Sequence, residues 1–517
     1  MNRTIWCALA ASTLTVVGLG CHEQASAQTQ PAAPAAAAVP RGPLPPLHPL
    51  DEEYLEWPLA TADKAYGAID GHHLKQYVAE IVAISERYRD QGHQFWGRIT
   101  GTSADVETQQ WVMNKFKEIG LSDIRSQPFD LKPQWMPQSW DVTATGNGKT
   151  LRLETAQPTL TTPGTPADGL DLEAVYVGTA SDADFAGRDV KGKAVFIYSD
   201  THNHGNYTAA TEGGAKRAEA KGAAAIFIIF AIPGNVRAQV YPTGTHVPTF
   251  CIGRGDGLAV REMIGQSPIG QTHVKVRLDV QMVPNLKTAT LWATLPGATD
   301  EKIYLVAHRD AFFDGAVDNG SGLASMMGLA EYFSKIPKEK RRRTIVFIST
   351  TGHHNACTGE SNPCSISSLW IADHHAELFT KTALLINLEH VATTQTSIYD
   401  PSVRKTNAMS EAVFWYVGGS RRLTKIAYDA YRQFGVPIYA EPEAYARGEM
   451  GAFAEYTTSL QVVNLGLLSH TDQETLDAMP WTGLQGITRA FAKIITEVNT
   501  LDIKDLQRES TDQTLRQ

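Results

Sequence analysis

Cysteine is scarce in this chain, with five among 517 residues, and two of them, Cys7 and Cys21, lie close to the N-terminus. A fold stapled by many disulfides is thereby excluded. Of the remaining three, Cys357 and Cys364 flank a short Gly/Ser/Pro loop, which admits either one local bridge or two free thiols; Cys251 stands alone. There is no long basic run, and the net charge is −9, which argues against nucleic acid or an anionic membrane as the main partner. No apolar run is suited to span a bilayer: the stretch from Ile5 to Leu19 is too short and is interrupted by Gly18. No internal repeat of useful length is visible. What is present is ordinary for a soluble globular protein, with 43% hydrophobic and 20% charged residues. The length calls for two or three structural units, since domains typically run to about 100–200 residues.

Arg3, the apolar stretch and Ala25-Ser26-Ala27 have the pattern of a signal peptide over residues 1–27, implying a periplasmic or secreted protein. Gly20-Cys21 offers a rival lipoprotein site, but Gly18 stands where such sites prefer Leu, so the unanchored outcome is favoured. Residues 28–50 are Ala- and Pro-rich and read as a flexible linker.

Ordered structure is expected from near His72. LKQYVAEIVAISERY sets Leu74, Tyr77, Val78, Ile81, Val82 and Ile84 along a helical stripe. A second helix follows, capped by Ser103 or Asp105, with Val106, Met113, Phe116 and Ile119 as its apolar face and Gly120 as its end. Residues 150–285 change texture, with the short β-rich runs AVYVG, KAVFIYS, AAAIFIIF and VPTFCIG around one Ala-rich helix, GGAKRAEAKGA. They suggest a mainly β module inserted into a larger domain. From Lys287 buried apolar strands alternate with helices: KIYLVAHRD, RRTIVFIST and TALLINLEH are strands, and LTKIAYDAYRQF and GITRAFAKIITEVN are helices. This predicts an α/β fold with a mostly parallel mixed sheet flanked by helices.

Four polar segments fall at the C-terminal ends of these strands, where ligands gather in open α/β sheets. AHRDAFFDGAVDNGSG places His308 and Asp310 on one strand face, with Asp318 in a Gly-rich loop leading into a helix; His308 also fits a core position and Asp318 a helix cap. STTGHHNACTGES brings the adjacent pair His353 and His354, or a solvated loop. LINLEHVATT ends an apolar strand in Glu389, a charge that must be paired or metal-bound. NLGLLSHTDQETLD holds His470 in a turn that could also serve to cap the last helix. Together, histidines and carboxylates in this order suit a divalent cation such as zinc.

The order and contexts of these segments resemble the co-catalytic zinc aminopeptidase family, which includes carboxypeptidase Q and glutamate carboxypeptidase-type enzymes. The resemblance covers about residues 75–500; VKGKAVFIYS, GAKRAEAKGAAAIFI and VPTFCIG resemble the protease-associated insert of many members. It implies an N-terminal part of the catalytic domain at 51–149, the insert at 150–285, the main catalytic part at 286–505 and a tail at 506–517. It also implies a site. His308, Asp318, Glu389, His354 and His470 would be metal ligands, with Asp318 bridging, and Asp310 would orient the centre.

The chain departs from the family at His353-His354, where the family has two glutamates, the general base and then a ligand. His354 can still bind a metal, and His353 would replace the base as proton shuttle. With one fewer carboxylate, one Zn2+ is expected to be firmly held and a second weaker or absent. The implied activity is hydrolysis of an amide, ester or lactone carbonyl by zinc-activated water, on a small-molecule or peptide substrate. Two alternatives stand beside it: a conventional aminopeptidase or carboxypeptidase, and an inactive member acting as a binding protein. Glu449, Arg447, Tyr445, His202 and His204 are weaker candidates for substrate contacts, and self-association into a homo-oligomer stays open.

Overall fold

The computed structural model describes residues 52–200, 213–355, 366–375, 377–399, 402–464 and 466–508. The leader, the linker, Cys21, His202, His204, the Cys357–Cys364 pair and the tail beyond Arg508 lie outside these residues.

Order begins earlier than His72, in 3-10 turns at Glu52–Leu55 and Thr61–Ala68. The first long helix, Gly71–Asp90, is capped by the Asp70 carboxylate, which accepts from the backbone N–H of His72 and His73. Its expected stripe, from Leu74 to Ile84, is buried. The second helix runs Ser103–Ile119, with Thr102 at the cap and Gly120 at φ 83° ending it. Of its expected face, Phe116 is buried and Met113 and Ile119 pack against the core, while Val106 does not. Ala104, Thr108, Val112 and Phe116 point inward at helical spacing, whereas Val106 is on the far side and 60% exposed. Asp105 is buried not as a cap but as the partner of Arg309.

The central sheet has seven strands. Four adjacent ones are parallel: Thr344–Thr350, Lys302–His308, Thr382–Leu388 and Ser459–Val463. The outer pairings are antiparallel. The sheet is therefore mixed, with a parallel centre. Side chains alternate across it. Ile303, Leu305 and Ala307 join a core with helices Gly71–Asp90, Gly322–Ser334 and Trp481–Val498, while Tyr304 and Val306 pack on the other face with Ile371 and Leu378. Burial on both faces explains why these strands read as unbroken apolar runs. Among the described residues no helix is long and apolar enough to cross a membrane.

A second, eight-stranded sheet is built from strands between Gln134 and Val283. It includes the strand Gln134–Gly146, upstream of residue 150, and pairs it with His273–Val283. Four of its strands, Leu170–Tyr176, Ala194–Ser199, Ala225–Phe230 and Thr249–Gly253, run parallel, and the helix Arg254–Gln266 packs beside them. One edge of this unit meets the first domain: Ala238 bridges to Thr471, and Gln239 donates its N–H to the His470 carbonyl at 2.9 Å.

Arg309, next to His308, ties the parallel strand ends to the second helix. Its buried guanidinium donates to Asp105 at 3.0 Å, to the Ala289 carbonyl and to the Thr288 hydroxyl. Removing one partner of such a pair leaves a buried charge. Arg309→Ala is predicted to destabilise the fold by about 3–5 kcal/mol in urea titration; a loss below about 1 kcal/mol would show the pair to be no more than a surface-type contact.

Candidate metal centre

The four parallel strands end along one edge, and their register decides what meets there. His308 is paired with Thr350, which carries the chain into His353 and His354; Val306 is paired with Asn387, just before Glu389 and His390. Leu388 is paired with Val462, from whose strand the chain leads to His470. Asp318 enters from the turn Ala316–Ser321 that precedes the helix Gly322–Ser334.

The Asp318 carboxylate is the focus. It is buried, and four imidazole Nε2 atoms surround it: His390 at 2.8 Å, His354 at 3.1 Å and His308 at 3.3 Å from Oδ1, and His470 at 2.7 Å from Oδ2. Donor atoms of Asp318, His354 and His470 lie within 4.8 Å of one another, as do those of His308, Asp318 and His390. Of the five ligands named from the sequence, His308, Asp318, His354 and His470 thus converge. Glu389 is directed elsewhere. It accepts from Asn387, from the Glu449 N–H at 3.3 Å and from Gln461, and its Oε1 lies 3.6 Å from His353 Nε2.

His390 was not picked out from the sequence. The available signal was a second donor beside Glu389 at the end of a buried strand. The backbone at His390 is left-handed, φ 47°, and so is that at His470, φ 60°. Non-glycine residues adopt this region at a cost of order 1–3 kcal/mol, and such strain clusters at functional sites. Two further residues steady the centre. Asn319 donates to the Leu388 carbonyl at 2.9 Å, and its Oδ1 accepts from His390 N–H at 3.1 Å. Glu474 accepts from the N–H groups of Asp318 and His470, at 2.6 and 3.0 Å. Asp310 accepts the His354 backbone N–H at 2.8 Å, and its carbonyl lies 3.2 Å from His308 Nδ1.

The donor set fits a metal. A carbonyl can only accept, so His308 Nδ1 facing Asp310 and His390 Nδ1 facing Asn464 at 3.0 Å must carry the proton. In the neutral rings Nε2 then presents its lone pair toward Asp318. These two buried Nε2 atoms make no hydrogen bond, although the His390 nitrogen is so close to the carboxylate. Distance is satisfied and hydrogen-bond geometry is not, as expected where rings are aimed at a shared cation. The charges agree. Burial pushes Asp318 up, but His354 and His390 outweigh it and hold the carboxyl well below its usual range. Burial lowers His354 to about 3 and also lowers His470, which keeps both neutral and able to ligate. Burial would lower His390 too, but the Asp318 charge raises it to about 9, so without a metal a proton takes the cation's place.

His353 does not touch Asp318, although its donor atom lies within 4.8 Å of those of His308 and His354. It stacks on His308, with centroids 4.3 Å apart, and its Nδ1 lies 3.2 Å from Glu449 Oε1. Glu449 in turn accepts from Ser368. Burial lowers the His353 pKa, yet the Glu449 hydrogen bond and the charges of Glu389, Glu449 and Asp310 raise it to about 10. Glu449 therefore belongs to the site. Arg447 is occupied by Glu443, and Tyr445 is 80% exposed. Phe312 and Tyr241 pack edge-on against His470, so the second sheet's unit contributes a wall of the centre.

Residues 290–495 match the sequence model of Peptidase family M28. The chain is 25% identical over 291 residues to leucine aminopeptidase 2 of Arthroderma otae, covering 54% of this chain and 53% of that protein. It is 26% identical over 259 residues to aminopeptidase YwaD of Bacillus subtilis, covering 48% and 50%. The chain spans about half the length of these curated relatives. The solved structure of BSAP, a zinc aminopeptidase from Bacillus subtilis, superposes with a TM-score of 0.60 at 19% identity, covering 85% of this chain and 98% of that one. The fold is thus that of the zinc aminopeptidases, and the part of the chain that holds the centre is similar to Peptidase family M28.

The His353 shift has a sign that can be tested. Its folded pKa lies above the unfolded 6.5, so the stability it adds is complete below that pH and is lost as pH rises through about 10. In metal-free protein, urea unfolding should weaken more steeply over this window in the native sequence than in Glu449→Gln. Parallel pH profiles would contradict the pairing.

Proposed function

We propose that the protein is an exported zinc-dependent hydrolase acting on the carbonyl of a peptide or related acyl substrate. The observation that carries this reading is the convergence of four imidazoles on Asp318 at the C-terminal strand edge of an M28-like domain. Zinc held there would supply a Lewis acid for the carbonyl oxygen and would lower the pKa of water toward ~7. The relatives named as aminopeptidases support a peptide or aminoacyl substrate. The leader, with Arg3 and Ala25-Ser26-Ala27, supports export.

His353 has a role different from that of a free base. Held between Glu449 and Glu389, it keeps its proton at neutral pH and serves as the acid for the leaving group. An amide leaves as an amine and needs that proton most, so peptides are as well suited as esters or lactones. Asp318 is the sole carboxylate among the gathered donors, so it neutralises one dication only in part and two poorly. We therefore assign one firmly held zinc.

Dialysis against a chelator should abolish hydrolysis of aminoacyl, peptide, ester and lactone substrates, and zinc should restore it. Elemental analysis of the native protein should give one equivalent, and His470→Ala should lose both metal and activity, with kcat down at least about 100-fold. Activity on every substrate that survives metal removal would sink the reading; two tightly bound equivalents would sink the assignment of one zinc.

A further inference from the structure

The segment Asn387-Leu388-Glu389-His390 carries two potential donors side by side, and the structure gives them different surroundings. Glu389 would be the obvious ligand, being an anion at the end of a strand beside the centre. One of its oxygens, Oε2, accepts from the Asn387 and Gln461 amides and the Glu449 N–H, and the other, Oε1, faces His353 Nε2 at 3.6 Å. Gly448 packs so closely on this carboxylate that an added Cβ would collide with it. The left-handed Gly448 (φ 50°) thus closes one side of the carboxylate's pocket. The Glu389 carboxylate is held where it lies and belongs to no donor group around Asp318.

His390 has the opposite arrangement. Three separate restraints aim its ring at Asp318. The backbone is left-handed, Asn319 Oδ1 accepts from its backbone N–H, and the Asn464 carbonyl accepts from its Nδ1–H. A ring nitrogen bound to a carbonyl on one side, with the other nitrogen buried and aimed at a carboxylate 2.8 Å away, is how proteins orient a metal-ligating histidine.

Resting on the metal-hydrolase reading, we propose that these neighbours have divided the work, with His390 as the metal ligand and Glu389 as a positioning residue that holds His353 with Glu449. The centre is then one carboxylate among four imidazoles, His308, His354, His390 and His470. Such a donor set favours nitrogen-loving cations, Zn2+, Co2+, Ni2+ and Cu2+, over the oxygen-loving Mg2+, Mn2+ and Ca2+.

The test is metal binding, read without reference to turnover. Zinc affinity would be measured by chelator competition on the full chain for the native protein, His390→Ala, His390→Cys and Glu389→Gln. His390→Ala should weaken zinc binding by at least about 100-fold, His390→Cys should recover most of the loss because thiolate can ligate, and Glu389→Gln should stay within about tenfold. X-ray absorption of the native zinc protein should show at least three imidazoles per zinc, a measurement that needs no variant to fold. Strong loss in Glu389→Gln with little in His390→Ala, or an oxygen-dominated zinc environment, would overturn the division. Failure of the hydrolase reading itself would look different: zinc would bind with this same pattern while no substrate was cleaved.

Discussion

A buried carboxylate is costly unless positive charge is brought up to it, and Asp318 is buried. The structure around the strand edge is organised to answer its charge. Four rings reach it from four separate segments, each following the end of a strand or a loop fixed by one. Glu474 holds the backbone of Asp318 and that of His470 with the two oxygens of one carboxylate, so the focus and one of its rings move together. Asn319, the next residue, does the same for His390 and for the end of the strand Thr382–Leu388.

This arrangement separates two kinds of chemistry only a few ångströms apart. Around Asp318 burial keeps His354 and His470 neutral, the form a cation requires. On the other side of the His308 ring, Glu389 and Glu449 hold His353 protonated. Adjacent residues in the chain, His353 and His354, are thus driven in opposite directions by what faces them. One site then offers both a place for a Lewis acid and a proton donor, which carbonyl hydrolysis needs at opposite ends of the breaking bond.

Much of this was legible in the sequence. Apolar runs that stop abruptly at His308, His353-His354 and Glu389, with His470 further on, mark strand ends with polar freight, and unbroken apolar strands alternating with helices pointed to the parallel centre of the sheet. The rest depended on information that periodicity does not carry. His390 lies 2.8 Å from Asp318 on a left-handed backbone, a conformation that hydrophobic periodicity does not report. The roles of Glu474 and Asn319 are backbone hydrogen bonds across the fold. Val106 looked apolar enough for the core, but the second helix is turned so that Val112 and Phe116 face in. The strand Gln134–Gly146 sits in the second sheet through its pairing with His273–Val283, more than a hundred residues away.

The claim on which the account rests is that one cation sits at Asp318, held by imidazoles. Anomalous diffraction at the zinc edge from crystals of the native protein tests it most directly. The account predicts one strong peak per chain, in contact with Asp318 and the Nε2 atoms of the surrounding histidines, and none against Glu389. Two peaks of equal height bridged by Asp318, with Glu389 bound to one of them, would contradict it.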